Sequence, residues 1–582
     1  MLKRVLIANR GEIALRVIRT LREMGIVSVA VFSEADRAAP FVAEADESYL
    51  LGPAPAADSY LNVDAILEVA RQARVDGIHP GYGFLAENAG FAAAVGEASI
   101  TFIGPTPESI RLMGDKVVAR QTVAGLGVPL VPGTDGPVRS RREALAFAAK
   151  VGYPVAVKAA GGGGGRGIRV VESAAEMEEA LEGARREALA YFKNPQVYLE
   201  RYFPDPRHVE IQILADAFGT TVHLGERDCS VQRRHQKLIE ETPSPAVDRG
   251  LRERMGEAAI RAAQSVRYTS AGTVEFLLTR GGDFYFLEMN TRIQVEHPIT
   301  EAVTGVDLIR EMILIASGER SGATSNVLDP SGHAIEIRVN AEDPTVDFRP
   351  TPAPVRTYRP PGGPGVRVDG GVEAGFTIPQ QYDSLMAKLI VWAPDRERAR
   401  RRALRALGEF DIAGPATTIP FSVAVLRHPV FVAGEVGTTF VSNTIEELKA
   451  AMPPAPPVGT DAASGAPVRS QHRVFEVEVN RRHFRVNVAE LVADAGKSRR
   501  SRRASGFAAP PSGNAVVSPM HGTVVAVKRA AGDVVAENDT LFVVEAMKME
   551  NEIRAHRGGT LESVNVQAGA TVEAGQELAV IT

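Results

Sequence analysis

Five consecutive glycines, Gly161 to Gly165, sit between two apolar stretches in YPVAVKAAGGGGGRGIRVV (153 to 171). Glycine loses more backbone freedom on ordering than any other residue, so a run of this length destabilises a chain that does not use it. The flanking stretches read as strands, and the order strand, glycine loop, strand differs from the strand, loop, helix of a Walker-type phosphate loop. Bare backbone N–H groups in such a loop can cradle phosphate oxygens, and Lys158 on the preceding strand adds a point charge. The expectation is a lid over phosphates; the alternative is a flexible hairpin loop without a ligand.

A chain of 582 residues is too long for one core and implies about three to five domains. With 45% hydrophobic and 24% charged residues, wholesale disorder and a fibrous architecture are excluded. Lys plus Arg number 66 against 71 acidic residues, so the net charge of -5 makes no case for nucleic acid or an anionic membrane as partner. The single cysteine, Cys229, excludes an intrachain disulfide framework and an all-cysteine zinc site, fits a reducing compartment, and makes the cytoplasm the expected location. Val5 to Ala8 is too short for a signal-peptide core. Ile412 to Leu426, interrupted by Pro415 and Pro420, is shorter than the roughly 20 residues of a spanning helix, so no membrane segment is predicted.

Residues 4 to 8 read as a buried strand, 11 to 24 as a helix and 27 to 32 as a second strand, a βαβ opening. The turn NRGE lacks the glycine triplet of a dinucleotide site, so a doubly wound sheet is expected without a nicotinamide or flavin. Strands and helices continue to about 446, with an arginine-rich amphipathic helix near 396 to 409. PPAPPVGTDAASGAP (453 to 467) and GKSRRSRRASGFAAPPSG (496 to 513) have linker composition, and a β-hairpin is predicted between them at 474 to 490. The basic run in the second linker reads as a solvated tether, and its GKS is no phosphate loop because Leu491 stands where glycine is required. From Ser518 the chain repeats at an offset of 37: Gly522, Gly532, Val535 and Leu541 recur as Gly559, Gly569, Val572 and Leu578. EAMKME lies at the junction of the two halves, where an exposed hairpin tip would suit Lys548 to covalent modification.

GTVEFLLTRGGDFYFLEMN (272 to 290) reads as two strands around a two-residue turn at Gly281-Gly282, which sets Glu275 opposite Glu288 with Asn290 on the same face. Facing carboxylates repel, and a divalent cation of the magnesium type between them explains the pair; a solvated sheet face is the alternative. Glu288, Asn290, Arg292, Gln294 and Glu296 alternate with mostly apolar neighbours and, on an extended chain, project to one side. Metal ligands, a guanidinium for an anion and a spare carboxylate would hold a metal-nucleotide, orient a small oxyanion and remove a proton. His208 and His235 find no third ligand at zinc spacing, and Cys229 reads as a packed, unreactive thiol.

Taken together, and with ANRGEIALR (8 to 16), HPGYGFLAEN (79 to 88), LMGDK (112 to 116), RHVEIQ (207 to 212), ERDCSVQRRHQK (226 to 237) and IEIRVNAEDP (335 to 344), residues 1 to 446 resemble biotin carboxylase, an ATP-grasp enzyme. The end, EAMKMEN, is similar to a biotin carboxyl carrier domain; a lipoyl domain shares the fold, but Met547 and Met549 favour biotin. The resemblance implies a multidomain α/β and α+β chain: a pre-ATP-grasp doubly wound domain (1–114), an ATP-grasp domain with a glycine-rich lid (115–330), a biotin carboxylase C-terminal domain (331–446), a linker (447–513) and an all-β barrel-sandwich biotinyl domain (514–582). It further implies that ATP phosphorylates bicarbonate to carboxyphosphate, which releases carbon dioxide beside biotin held in amide linkage on Lys548. Lys116, Lys158, Gly164, Gly165, His208, Gln232 and His235 would hold ATP, with Glu200, Arg201, Tyr202 and Phe203 at the adenine. Glu275, Glu288 and Asn290 would ligate magnesium or manganese. Lys237, Arg292, Gln294 and the backbone of Val295 would bind bicarbonate, Glu296 would be the general base, and Arg338 would stabilise the biotin enolate.

No second active site is visible, so the resemblance implies a separate carboxyltransferase β subunit, as in acyl-CoA carboxylases, together with a biotin protein ligase and a homo-oligomer of the carboxylase module. A linker of this length, as coil, spans about 40 to 50 Å and gives an effective carrier concentration on the order of millimolar. Half of a split pyruvate carboxylase is the alternative within the class, and a non-catalytic carrier or scaffold is the alternative outside it. Larger α subunits have a substantial β-barrel between carboxylase and carrier, where this chain has only the short hairpin region.

Overall fold

The computed structural model describes residues 1–134, 136–159, 168–192, 195–453, 470–479, 482–491, 514–519, 522–546, 549–573 and 575–582. The apolar runs at the start become the strands Arg4–Ile7 and Val27–Ser33, joined by the helix Gly11–Glu23 with Ile13, Val17 and Leu21 buried. Five parallel strands follow the order Glu47–Gly52, Val27–Ser33, Arg4–Ile7, Gly77–His79, Thr101–Phe102. The order reverses at Arg4–Ile7, so the loop after that strand, Ala8-Asn9-Arg10, lies where open α/β sheets hold ligands. This is the predicted doubly wound opening.

At the centre is an antiparallel sheet of eight strands in the order Phe284–Asn290, Ser270–Leu278, Arg207–Ala215, Thr221–Arg233, Gln236–Thr242, His333–Asn340, Leu385–Ala393, Val366–Gly370. His333–Asn340 pairs directly with Gln236–Thr242, so the hydrogen bonding crosses residue 330 without a break. One face is apolar: Val209, Ile211, Ile213, Val274 and Phe276 pack with Met255, Ala258, Ala259, Ala262 and Ala263 of the helix Arg249–Ser265. Small side chains let that helix sit close, and a Cβ on its Gly256 would fall 2.4 Å from the His223 ring. The alternate residues, His208, Glu210, Gln212, Thr273 and Glu275, are polar and yet buried. A strand with one dry apolar face and one dry polar face is not a surface strand; the polar face is covered because it holds the site.

Three smaller units complete the chain. Val155–Ala159 lies between Ile168–Val171 and Val197–Arg201, so the strands flanking the glycine run form as expected, while the glycines, Gly164 and Gly165 among them, lie outside the described residues. The hairpin runs as Ser470–Val479 against Arg482–Leu491, longer than predicted; the linkers around it, apart from Pro453, also lie outside. In residues 514–582 the repeat is structural: Gly522–Val527 and Gly559–Val564 are equivalent strands, each paired with a strand from the other half. A Cβ on Gly522 would meet Glu545 O at 2.4 Å and one on Gly559 would meet Thr582 O at 2.4 Å, which is why glycine recurs at this offset. Thr540–Ala546 and Met549–Arg554 pair with each other, and Lys548 between them lies outside the described residues. No helix among the described residues is long and apolar enough to cross a membrane.

The arginine-rich helix Arg396–Glu409 starts at Asp395, which caps Arg398 N–H, and buries Ala399, Ala403, Ala406 and Leu407. Its first residue is tied to the central sheet: Arg396 donates to both oxygens of Glu241 at 2.7 and 3.0 Å, and His333 Nε2 lies 2.9 Å from the same carboxylate. Burial pushes Glu241 up, but His333 and Arg396 outweigh it and bring it from 4.5 to about 2. A depressed carboxylate contributes stability that is complete above its unfolded pKa and lost as pH falls through its folded one. Glu241→Gln is therefore expected to cost about 3 kcal/mol at neutral pH, with the deficit shrinking toward zero between pH 4.5 and about 2. Denaturant unfolding at stepped pH checks this; a pH-independent deficit would contradict it.

Candidate active site

Glu275 stands opposite Glu288, and Thr273 opposite Asn290, on neighbouring strands. The turn that connects them differs from the two-residue turn expected. Thr279 N–H donates to Asp283 O, which closes a three-residue loop, Arg280 to Gly282, with Gly282 at φ +85°. The register then shifts, since Phe276 pairs with Phe286 while Glu275 pairs with Glu288. The bulge at Leu287 restores the pairing that the shorter turn would have set.

The expectation that residues 288 to 296 stay extended is corrected. The strand ends at Asn290, and Glu87 accepts from Thr291 N–H at 3.1 Å and Arg292 Nε at 2.9 Å, which turns the chain. Glu296 then becomes the first flanking residue of the helix His297–Thr304, with Pro298 in its first turn. Convergence arises from this turn instead of from strand alternation. Asn290 Nδ2 and Gln294 Nε2 each donate to Glu275 Oε1 at 2.9 Å, and Arg292 Nη2 donates to Asn290 Oδ1 at 3.0 Å.

Lys237 is the hub. Its Nζ donates to Glu210 Oε2 at 2.6 Å, Glu296 Oε1 at 2.7 Å and Glu275 Oε1 at 3.1 Å. Burial opposes its charge, but the surrounding anions hold its pKa well above the ordinary lysine value. Glu296 is bound on its other oxygen by Arg338 Nη2 at 2.9 Å. Burial pushes Glu296 up, and Lys237, Arg338 and Arg227 overcome it, leaving the carboxyl well below its usual range. Glu275 is lowered for the same reason, burial being outweighed by Lys237 and by His208, whose Nε2 lies 3.0 Å from Glu275 Oε2. His208 itself is raised, because Glu275 outweighs the cost of its burial.

Beneath this cluster Arg227 is completely buried. Its guanidinium donates to Glu210, Gln212 and Gln294 at 2.6, 2.6 and 2.7 Å and to Thr300 and Thr273 at 3.0 and 3.1 Å. It thus fixes the carbonyl end of Gln294 and points the amide at Glu275. Lys388, also wholly buried, donates to Val295 O at 2.8 Å and sits 3.2 Å from Glu12 Oε1, joining the start of the helix Gly11–Glu23 to the loop that carries Glu296. Cys229 Sγ lies 3.9 Å from Glu296 Oε1, and burial and Glu210 push the thiol well above its usual range, which suits a packed, unreactive group.

A second group forms around Glu200, which pairs with Lys158 and with Arg120 at 3.2 Å. Arg201 donates to Val151 O, and the Phe203 ring stacks on Tyr285 at 4.9 Å. Tyr202 N–H donates to Pro154 O. Gln232 is buried opposite Lys237, whereas His235 sits exposed in the turn after it at φ +66° and does not join the charged cluster. The Lys116 side chain, Gly164, Gly165 and Lys548 lie outside what the structure describes. On the other side of the cluster a cavity of about 180 Å³ is lined by Arg10, Tyr82, Val295, Arg338, Asn340 and Asp383. Glu275 and Glu288 are paired across adjacent strands with Asn290 on the same face, and carboxylate and amide oxygens are donor types that fit a hard cation such as magnesium or manganese, although Asn290 here turns its amide nitrogen to Glu275 and its oxygen to Arg292.

Comparison with known proteins decides the family. The biotin carboxylase N-terminal domain matches residues 1–110, the ATP-binding domain of the carbamoyl-phosphate synthase L chain 115–323, the biotin carboxylase C-terminal domain 336–443, and the family described as biotin-requiring enzyme 514–581. A biotin carboxylase of Nostoc sp. is 55% identical over 440 residues, covering 76% of this chain and 98% of the relative. The chain belongs to the biotin carboxylase family. It joins biotin carboxylase activity to a biotin carrier domain. The biotin-dependent acyl-coenzyme A carboxylase alpha3 subunit of Mycobacterium leprae is 44% identical over 598 residues, 99% of this chain and 98% of that one. A pyruvate carboxylase subunit of Methanothermobacter thermautotrophicus is 51% identical over 452 residues, 78% and 92%. Among solved structures, the biotin carboxylase domain of Hydrogenobacter thermophilus 2-oxoglutarate carboxylase with MgADP, ADP and bicarbonate matches with a TM-score of 0.71 and 45% identity, over 77% of this chain and 99% of that one.

Sequence reasoning did not single out Glu87, Arg227 or Lys388. Each had a signal: Glu87 and Arg227 lie inside motifs shared with biotin carboxylases, and Lys388 interrupts the apolar strand LMAKLIVWA. Arg227→Met should leave Glu210, Gln212 and Gln294 without their donor and lower biotin carboxylation about 10- to 100-fold. Arg227→Lys should not rescue it, because a point charge cannot replace a planar fork with five donors. Steady-state kinetics on folded variants checks this; wild-type turnover in Arg227→Met would contradict it.

Proposed function

We propose that this chain is the α subunit of an acyl-CoA carboxylase. In this reading it carboxylates biotin attached to Lys548 at the expense of ATP and bicarbonate, and a separate carboxyltransferase β subunit passes the carboxyl group to acetyl-CoA, propionyl-CoA or a longer acyl-CoA. The observation that carries the acyl-CoA reading is the likeness to the mycobacterial acyl-CoA carboxylase subunit over 99% of the chain. The second reading, a pyruvate carboxylase half, rests on a relative that aligns over 78% of the chain.

The roles are those that the likeness to biotin carboxylases implies for the matching positions. Lys116, Lys158, Gly164, Gly165, His208, Gln232 and His235 hold ATP, with Glu200, Arg201, Tyr202 and Phe203 at its base. Magnesium or manganese, held by Glu275, Glu288 and Asn290, would neutralise charge on the phosphates. Arg292, Gln294, Lys237 and the Val295 backbone hold bicarbonate, and Glu296 removes its proton. Supporting this, Glu296 is ionised by virtue of its two cationic partners, Lys237 and Arg338. When Lys237 turns to the incoming anion, Glu296 loses one of them and its proton affinity rises. Arg338 lines the cavity beside Val295, where a fixed guanidinium would stabilise an oxyanion that develops on the biotin side. Biotin supplies the nitrogen that accepts the carboxyl group, and the protein supplies position and electrostatics.

Coexpression with a biotin protein ligase should add one biotin, located by peptide mass to Lys548 and absent from Lys548→Ala. The biotinylated protein should hydrolyse ATP only with bicarbonate present; hydrolysis indifferent to bicarbonate, or none at all, would overturn the reading. Labelled bicarbonate should then pass to an acyl-CoA when an acyl-CoA carboxyltransferase is added, and not to pyruvate with a pyruvate-specific transferase. The reverse preference would establish the second reading.

A further inference from the structure

Arg338 does not face Glu296 alone. Its Nε donates to Glu240 Oε1 at 2.7 Å while its Nη2 donates to Glu296 Oε2 at 2.9 Å, so one guanidinium bridges two carboxylates. Lys237 and Glu240 are three residues apart on the same strand and in regular alternation would face opposite ways. Register shifts between Asp228↔Glu241, Val231↔Ile239 and Gln232↔Lys237 bring both to the Glu296 side. Glu240 in turn stands directly opposite Glu336 on the next strand, and both are fully buried. Neither oxygen of Glu336, nor Oε2 of Glu240, has a hydrogen-bond partner among the described residues.

Two carboxylates so placed cannot both ionise cheaply, and the pair keeps a proton. Burial, against the pull of Lys388, holds Glu336 well above the usual carboxylate range. Glu240 is pushed up by burial and drawn back by Arg338 to about 7. Glu336 therefore holds its proton the more firmly, and Glu240, beside Arg338, is the member of the pair that ionises as pH rises through about 7. The other groups facing it are Lys237 on its own strand, Cys229 on the strand Thr221–Arg233, Glu296, and Lys388 beyond Arg338. On the helix His297–Thr304, burial and Lys388 hold His297 neutral, and Glu301 is committed to Arg16 and Arg367.

We propose that Glu240 is a positioning residue, the standing counter-ion that keeps Arg338 charged and at the cavity wall while Glu296 carries the proton taken from bicarbonate. The proposal rests on the roles read above for Glu296 and Arg338. In that step the O–H bond of bicarbonate breaks, the proton bonds a Glu296 oxygen, and carbonate dianion is left to attack the γ-phosphorus of ATP, whose bond to the β–γ bridging oxygen breaks as ADP leaves. Glu296 becomes neutral and its hold on Arg338 falls. Without Glu240 the guanidinium would then be buried with no anion, and it would leave its place.

The test is carboxylation of carrier-bound biotin from labelled bicarbonate by the full-length biotinylated protein, followed from about pH 5.5 to 9. Wild-type kcat should fall as pH drops through about 7. Glu240→Gln should lower kcat about 10- to 100-fold, abolish that limb and leave the KM for MgATP within about threefold. Glu240→Asp, which keeps the charge, should retain the limb even if Glu240→Gln does not fold. Wild-type kcat in Glu240→Gln, or loss of the limb in Glu240→Asp, would overturn the proposal. Arg338→Gln separates the two levels: at wild-type rate it sinks the role of Arg338 itself, whereas a slow Arg338→Gln beside a normal Glu240→Gln sinks only the role of Glu240.

Discussion

One ammonium group set among three carboxylates organises this molecule. Lys237 lies within hydrogen-bond distance of Glu210, Glu275 and Glu296 on a buried sheet face, where ions removed from water persist only if they are paired and hydrogen-bonded. Arg227 and Arg338 extend the balance, and His208, raised by Glu275, completes it. Each carboxylate of the cluster is thereby held in a set position before any substrate arrives, and preorganised charge of this kind costs no reorganisation at the moment of reaction.

The same constraint joins parts of the chain that are far apart in sequence. Lys388, from the strand Leu385–Ala393, reaches Val295 in the central loop and Glu12 at the mouth of the first sheet. Glu87, from the first unit, captures Arg292 from the second. The cavity beside Arg338 takes its walls from residues near 10, 82, 295, 338 and 383. The site is thus a property of the assembled carboxylase region and of no single segment. The carrier, by contrast, is a small repeat-built sandwich closed by its own glycines, and it needs nothing from the carboxylase region to form its core.

What was legible in the sequence were features with a local period. The βαβ opening, the helix over 396–409, the offset of 37 and the pairing of Glu275 with Glu288 all follow from spacings that a few residues set. Even there the register came out correctly through a compensating pair of irregularities, a longer turn and a bulge at Leu287, which no alternation pattern reveals. The path from Asn290 to Glu296 has no local signature, because the turn is made by Glu87, about two hundred residues earlier. Glu240 was hidden by register shifts, and Arg227 and Lys388 by partners on other strands. A buried charge identifies itself only when its counter-ions are known, and those come from tertiary pairing.

The central claim is that the Lys237 ammonium, by balancing Glu210, Glu275 and Glu296, makes the pocket competent for chemistry on bicarbonate. Single-turnover transfer of labelled bicarbonate to the biotinylated carrier by Lys237→Met, with MgATP binding measured on the same sample, tests it most directly. The account predicts nucleotide binding within about tenfold of wild type and label transfer slowed by about 10²-fold or more. Transfer at the wild-type rate would contradict it.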